Sequence, residues 1–187
     1  MAQELFPDVQ VIIVPGLYDS GPDHWQSRWQ RAHPEFDRVR QDDWENPVLP
    51  AWSARLDEVR RRDPRPALFV AHSFGCLATV HSIARDPDNV AGALLVAPAD
   101  PDKFGVANML PALPLPCPTL MISSSNDPWM RPGQAALWAA CWRSVLVEGG
   151  PLGHINAESG LGDWPFGIQQ LHSLADWAHN GRLALSA

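Results

Sequence analysis

The stretch Ala67-Leu68-Phe69-Val70-Ala71-His72-Ser73-Phe74-Gly75-Cys76 decides the fold. Its opening apolar run reads as a strand buried on both faces, and the segment from Cys76 to Arg85 reads as a helix. Between them stands a serine with small residues on either side. Strand, sharp turn and helix in that order form a nucleophile elbow, usually written G-x-S-x-G, where small neighbours let the backbone turn tightly and lift the hydroxyl above the sheet edge. Ala71 takes the place of the first glycine and Gly75 supplies the second.

A serine hydroxyl is a poor nucleophile near neutrality, so partners are sought downstream. An imidazole must take its proton, and a carboxylate must hold that imidazole in the right tautomer. Thr119 to Ser125 reads as a strand that runs into Asn126-Asp127-Pro128, which puts Asp127 at a turn just past the strand end. Asp100 and Asp102, after the strand expected at Val90 to Ala97, are the alternatives. Ser144 to Glu148 reads as a further strand, and Gly149-Gly150-Pro151-Leu152-Gly153 delivers His154 on a glycine-bordered loop. The other histidines fit the role of base less well: His72 adjoins the serine and points away from it, His81 and His172 fall inside expected helices, and His179 lies near the end. His33 closes an expected helix. His24 could approach from the first loop, where a structural contact is the simpler reading. For the oxyanion of a tetrahedral intermediate the elbow offers Phe74 N–H, and the loop Gly16-Leu17-Tyr18 offers Leu17 N–H or a neighbour. Candidate substrate contacts are Tyr18, His24, Trp25 and Trp129, with Trp44 and Trp164 also close to expected loops.

The rest of the chain alternates strand and helix. Val9 to Val14 is an apolar strand broken by Pro15-Gly16, His24 to His33 a helix, Arg38 to Arg40 a short strand, and Trp52 to Arg62 a helix with apolar residues at helical spacing. After the elbow come a strand at Val90 to Ala97 and helices at Pro132 to Trp142 and Phe166 to His179. This pattern predicts a single α/β domain over residues 1–187, with a doubly wound, mostly parallel sheet of about six strands and helices on both faces. A parallel sheet gathers Ser73, Asp127 and His154 at its C-terminal edge. Residues 98–118 are rich in proline and have room for only a turn or two of helix, so no lid is expected and the site should be shallow and open.

Composition removes several functions. A net charge of -7 is unsuited to a phosphate backbone, and the basic run Arg60-Arg61-Arg62 ends an expected helix, where cations complement the dipole. No nucleic-acid or membrane partner is expected, and nothing indicates a protein partner. The start Met1 to Leu5 lacks a signal-peptide pattern, so a cytoplasmic protein is expected. Cys76, Cys117 and Cys141 have no metal-ligand spacing and read as reduced thiols; neither a metal nor a cofactor is expected.

With these residues in place, the chain resembles the small serine hydrolases of the YdeN and retinoblastoma-binding-protein-nine type, a lidless branch of the α/β-hydrolases. The likeness runs through Val14-Pro15-Gly16-Leu17, Ser20 to Gln26, Asp43-Trp44-Glu45, the elbow, Ser124 to Pro128 and Gly153-His154-Ile155-Asn156-Ala157-Glu158-Ser159-Gly160. It implies Ser73, Asp127 and His154 as the triad, while the family's name does not settle the substrate; the residues themselves are read as a cofactor-independent serine hydrolase that cleaves small carboxylic esters, or amides, through an acyl-enzyme. Two departures are Ala71 at the elbow and Phe166, where many bacterial members carry an acid. A binding module with an idle triad, and an acyltransferase or aminopeptidase-like enzyme, are the rival readings.

Overall fold

A computed structural model of the chain describes residues 4–185, with side chains through 181. The order is β1 (Gln10–Val14), α1 (Trp25–Ala32), β2 (Asp37–Arg38), α2 (Leu49–Arg60), β3 (Ala67–Ser73), α3 (Phe74–Arg85), β4 (Val90–Pro98), β5 (Thr119–Ser123), α4 (Pro132–Trp142), β6 (Val145–Glu148) and α5 (Pro165–Leu185), with short 3-10 turns at Ala107–Met109 and Ala157–Ser159. The six strands form one sheet in the order β2-β1-β3-β4-β5-β6, and every adjacent pair is parallel. Alternate residues of β3 enter different cores. Phe69 and Ala71 face the layer of α2, α3 and α4, together with Trp52, Leu77 and Trp142, whereas Leu68 and Val70 face Trp25, Trp29, Leu171 and Leu174 of α1 and α5.

Several boundaries differ from expectation for local reasons. α2 begins at Leu49, because Pro50 sits in the first turn, where its missing N–H leaves no bond unmade. β2 sits one residue early, at Asp37–Arg38, where it pairs with Ile12 and Ile13. α5 continues through Asn180-Gly181, which the sequence reading took as a stop. No helix among the described residues is long and apolar enough to cross a membrane.

The chain leaves β1 toward β2 on one side and leaves β3 toward β4 on the other, so a crevice opens at the C-terminal ends of β1 and β3. Gln26, fully buried on α1, closes its floor: Nε2 donates to Val14 O (3.2 Å) and Val70 O (3.0 Å), one carbonyl from each strand. A carbonyl oxygen has two lone pairs, so such a donor can bond a carbonyl that also belongs to the strand ladder.

Candidate active site

Ser73 ends β3 and precedes α3 with φ 54 and ψ -125, outside the regions that a serine ordinarily occupies. Strain of this kind persists only where the surroundings over-determine it. Here the surroundings are the first loop, pressed against the elbow. A Cβ on Gly75 would lie 2.5 Å from the carbonyl oxygens of both Val14 and Pro15, and one on Gly16 would lie 2.6 Å from Ser73 Cβ. The partner strand accommodates the turn with an irregularity of its own, since β4 skips Ala97 (φ 42) between the pairs His72 with Val96 and Ser73 with Pro98.

His154 Nε2 lies 2.9 Å from Ser73 Oγ, and His154 Nδ1 lies 2.9 and 3.0 Å from the two oxygens of Asp127. The Asp127 side chain is 2% exposed and also accepts Trp129 N–H at 2.8 Å, so it shapes its own turn while facing the imidazole. A carboxylate accepts, which puts the imidazole proton on Nδ1 and leaves Nε2 bare toward the serine hydroxyl. Asp100 and Asp102 lie elsewhere: Asp100 accepts the Asp102 N–H, and Asp102 accepts from Gln134. The loops carrying Asp127 and His154 are tied together, as Ser124 Oγ accepts Leu152 N–H (2.9 Å) and Asn126 Oδ1 accepts Gly153 N–H (2.7 Å).

Tyr18 N–H is taken by Trp44 O at 3.0 Å, whereas neither Leu17 N–H nor Phe74 N–H is held by another loop or side chain among the described residues. Both remain available beside Ser73. Above the serine opens a cavity of about 560 Å3, larger than the shallow site expected and within the range of small-molecule sites. Leu17, Ala99 and Phe104 wall it, and Tyr18 (72% exposed) and Trp129 (56%) stand at its rim. Lys103, the chain's sole lysine, also lines it; its Nζ donates to Pro128 O and Trp129 O (3.3 and 2.8 Å) and so ties the 98–118 loop to the turn of Asp127.

The expected contacts divide. Tyr18, His24 and Trp129 line the cavity. Trp25 does not: it is buried, with Nε1 donating to Ile155 O at 2.8 Å, and Trp164 packs beside it in the core. A tryptophan at the start of an amphipathic helix packs inward, and its position beside His24 in sequence gave no sign of which way each would face. Lys103, Phe104, Asn156 and Glu158 were not singled out as contacts, because only the folding of their loops over the serine brings them there. Cys76 is fully buried, and burial raises its thiol pKa well above the usual value, so it offers no nucleophile. No group of three or more metal-ligating side chains occurs among the described residues.

A family profile described as serine hydrolase matches residues 11–173. The chain belongs to that serine hydrolase family. Among solved structures, this serine hydrolase is similar to a YdeN-like hydrolase from Pectobacterium atrosepticum, with 38% identity over 91% of this chain and 92% of the other and a TM-score of 0.89. It is also similar to the ydeN gene product of B. subtilis (20% identity, 89% and 98% covered, TM-score 0.71). In fold alone it resembles a monoacylglycerol lipase of Paleococcus ferrophilus (11% identity, 90% and 93% covered, TM-score 0.65). No curated protein matches the sequence. A YdeN-like α/β-hydrolase is thus the family and fold that the sequence reading reached.

Proposed function

We propose that this serine hydrolase cleaves small carboxylic esters through an acyl-enzyme, with Ser73 as nucleophile, His154 as general base and acid, and Asp127 as the group that fixes the imidazole. The observation that carries the reading is the bridging imidazole, 2.9 Å from the serine oxygen on one side and 2.9 Å from the carboxylate on the other. As Ser73 Oγ attacks the substrate carbonyl, its proton passes to His154 Nε2, and Asp127 stabilises the resulting imidazolium. Leu17 N–H and Phe74 N–H receive the oxyanion. Collapse expels the alcohol, which takes the proton from His154; water then gives a proton to His154 as its oxygen attacks the acyl carbon, and the acyl–Oγ bond breaks, releasing the acid while Ser73 Oγ takes the proton back from His154. No step calls for a cofactor. An amide substrate, or an acceptor other than water, would use the same groups. A cytoplasmic location belongs to this proposal as well.

A fluorophosphonate asks whether Ser73 is activated before any substrate is known. The expected result is stoichiometric labelling that Ser73→Ala abolishes in a folded protein, together with hydrolysis of p-nitrophenyl esters. With Tyr18 and Trp129 exposed at the rim, the cavity wall ends early, so kcat/KM should rise over the first few acyl carbons and then level. A folded, unlabelled wild-type protein without esterase activity would favour the idle-triad reading instead.

A further inference from the structure

His154 is held at three places, and only two are the ring nitrogens that face Ser73 and Asp127. The third is its carbonyl oxygen, 2.9 Å from His72 Nε2. A carbonyl only accepts, so His72 carries its proton on Nε2. Successive residues of a strand point to opposite faces, and β3 therefore grips one histidine twice: through Ser73 at the ring and through His72 at the backbone. The next residue, Ile155, is fully buried with φ 48, a left-handed conformation that a β-branched residue rarely adopts. Its carbonyl accepts the Trp25 indole N–H at 2.8 Å. Both carbonyls of this strained pair are thus taken by side chains from outside the loop.

His24 backs the arrangement. It caps α1, with Nδ1 accepting Gln26 N–H at 3.2 Å, so its proton sits on Nε2. It is 4% exposed, and its ring meets that of His72 edge-on at 4.7 Å, while the His72 ring lies 5.0 Å from that of His154. Burial holds His24 and His72 neutral, the first with its pKa lowered to about 3 and the second well below the usual histidine value. Neither of them therefore puts a positive charge beside the imidazolium that His154 is to become.

We propose that His72 and Trp25 are positioning residues that clamp the His154–Ile155 backbone, so that His154 Nε2 meets the serine hydroxyl, with His24 as the backstop of the His72 ring. The inference rests on the assignment of Ser73 and His154 above. A displacement of about 1 Å in a catalytic group lowers rate by roughly 100-fold, and the carbonyl of residue 154 is one bond away from the Cα that carries the imidazole.

The test compares His72→Leu, His72→Gln and Trp25→Phe with wild type, with kcat expressed per Ser73 site titrated by fluorophosphonate. His72→Leu should lower kcat by about 10- to 100-fold with KM nearly unchanged. His72→Gln, which keeps an amide donor, should recover most of it. Trp25→Phe removes the indole N–H together with part of the buried ring, keeps an aromatic ring in place, and should behave like a milder His72→Leu. The low-field proton resonance of His154 Nδ1–H against Asp127 should broaden or vanish in His72→Leu and Trp25→Phe and persist in His72→Gln. Unchanged kcat and resonance in His72→Leu would overturn the clamp, as would equal losses in His72→Leu and His72→Gln, which would leave bulk rather than the donor as the cause. Should the His72 variants not fold, an unaltered kcat and resonance in Trp25→Phe overturn it. Failure of the wild-type protein to label would instead sink the assignment of Ser73, and the resonance would still test the clamp.

Discussion

At Gly75 the absence of a side chain does more than ease the elbow. The position faces two backbone carbonyl oxygens at a distance that no Cβ tolerates, so the first loop can lie against the serine only if residue 75 is glycine. Gly75→Ala should lower stability by about 1–3 kcal/mol, as overpacking of a tight site does, and should move Leu17 N–H away from Ser73. A urea titration reads the first effect and fluorophosphonate labelling rate the second; a variant with wild-type values for both would mean that the loop yields without consequence. The meeting of Ser73, Asp127 and His154 was legible in sequence because each follows a strand and stands at a turn. Residue type alone would not have found them. Ser53 Oγ lies 2.8 Å from His81 Nδ1, and Ser82 Oγ donates to Asp57, so serine, histidine and aspartate also meet between α2 and α3, sealed in the core with nothing to attack.

Among the elements, α1 carries the most that the sequence did not disclose. Its periodicity marked a helix, yet three successive residues at its start have three separate tasks: His24 against His72, Trp25 on Ile155, and Gln26 across β1 and β3. Such tasks depend on which strand ends lie beneath the helix, and hydrophobic spacing does not encode that. Gln26→Leu matches the volume closely and removes the side-chain donor from two buried strand carbonyls. A loss of about 0.5–1.5 kcal/mol per lost hydrogen bond is expected by urea unfolding, and a loss below about 0.5 kcal/mol in total would mean that the two bonds contribute nothing net. The 98–118 loop was read from sequence as a rigid connection with no room for a lid; it forms one 3-10 turn, at Ala107–Met109, and contributes Ala99, Lys103 and Phe104 to the cavity lining. Its tether through Lys103 could not be foreseen, since only the fold brings that ammonium to two carbonyls in the turn after Asp127.

The whole molecule feels pH through its buried histidines. In the unfolded chain His24 takes up a proton near 6.5, while in the folded protein it does so only at about 3. Between those values the unfolded state binds more protons, so stability is full above about pH 6.5 and falls as pH drops toward 3. One such group changes the slope by at most about 1.4 kcal/mol per pH unit, and His72, lowered by burial in the same direction, adds to it. The urea midpoint should therefore drop steadily below pH 6.5, and His24→Gln should flatten part of that slope. A midpoint independent of pH from 6.5 to 4 would show that neither histidine is held neutral. The doubly wound α/β architecture itself was legible, because apolar runs such as Val11 to Val14 and Ala67 to Ala71 fit only strands covered on both faces. The start of α2 and the end of α5 were not, because a proline in a helix's first turn and an Asn-Gly pair inside a helix both read as breaks in sequence.

Ser73 and His154 stand 81 residues apart in the chain, and β4, β5 and β6 are all made between them. During synthesis the serine leaves the ribosome long before its base, so the chain spends that interval with an inert elbow. Reactivity at Ser73 thus works as a clock for the last stage of maturation. In a refolding experiment it should lag behind compaction, because parallel pairing of distant strands is slow, and it should appear only once the C-terminal third has docked.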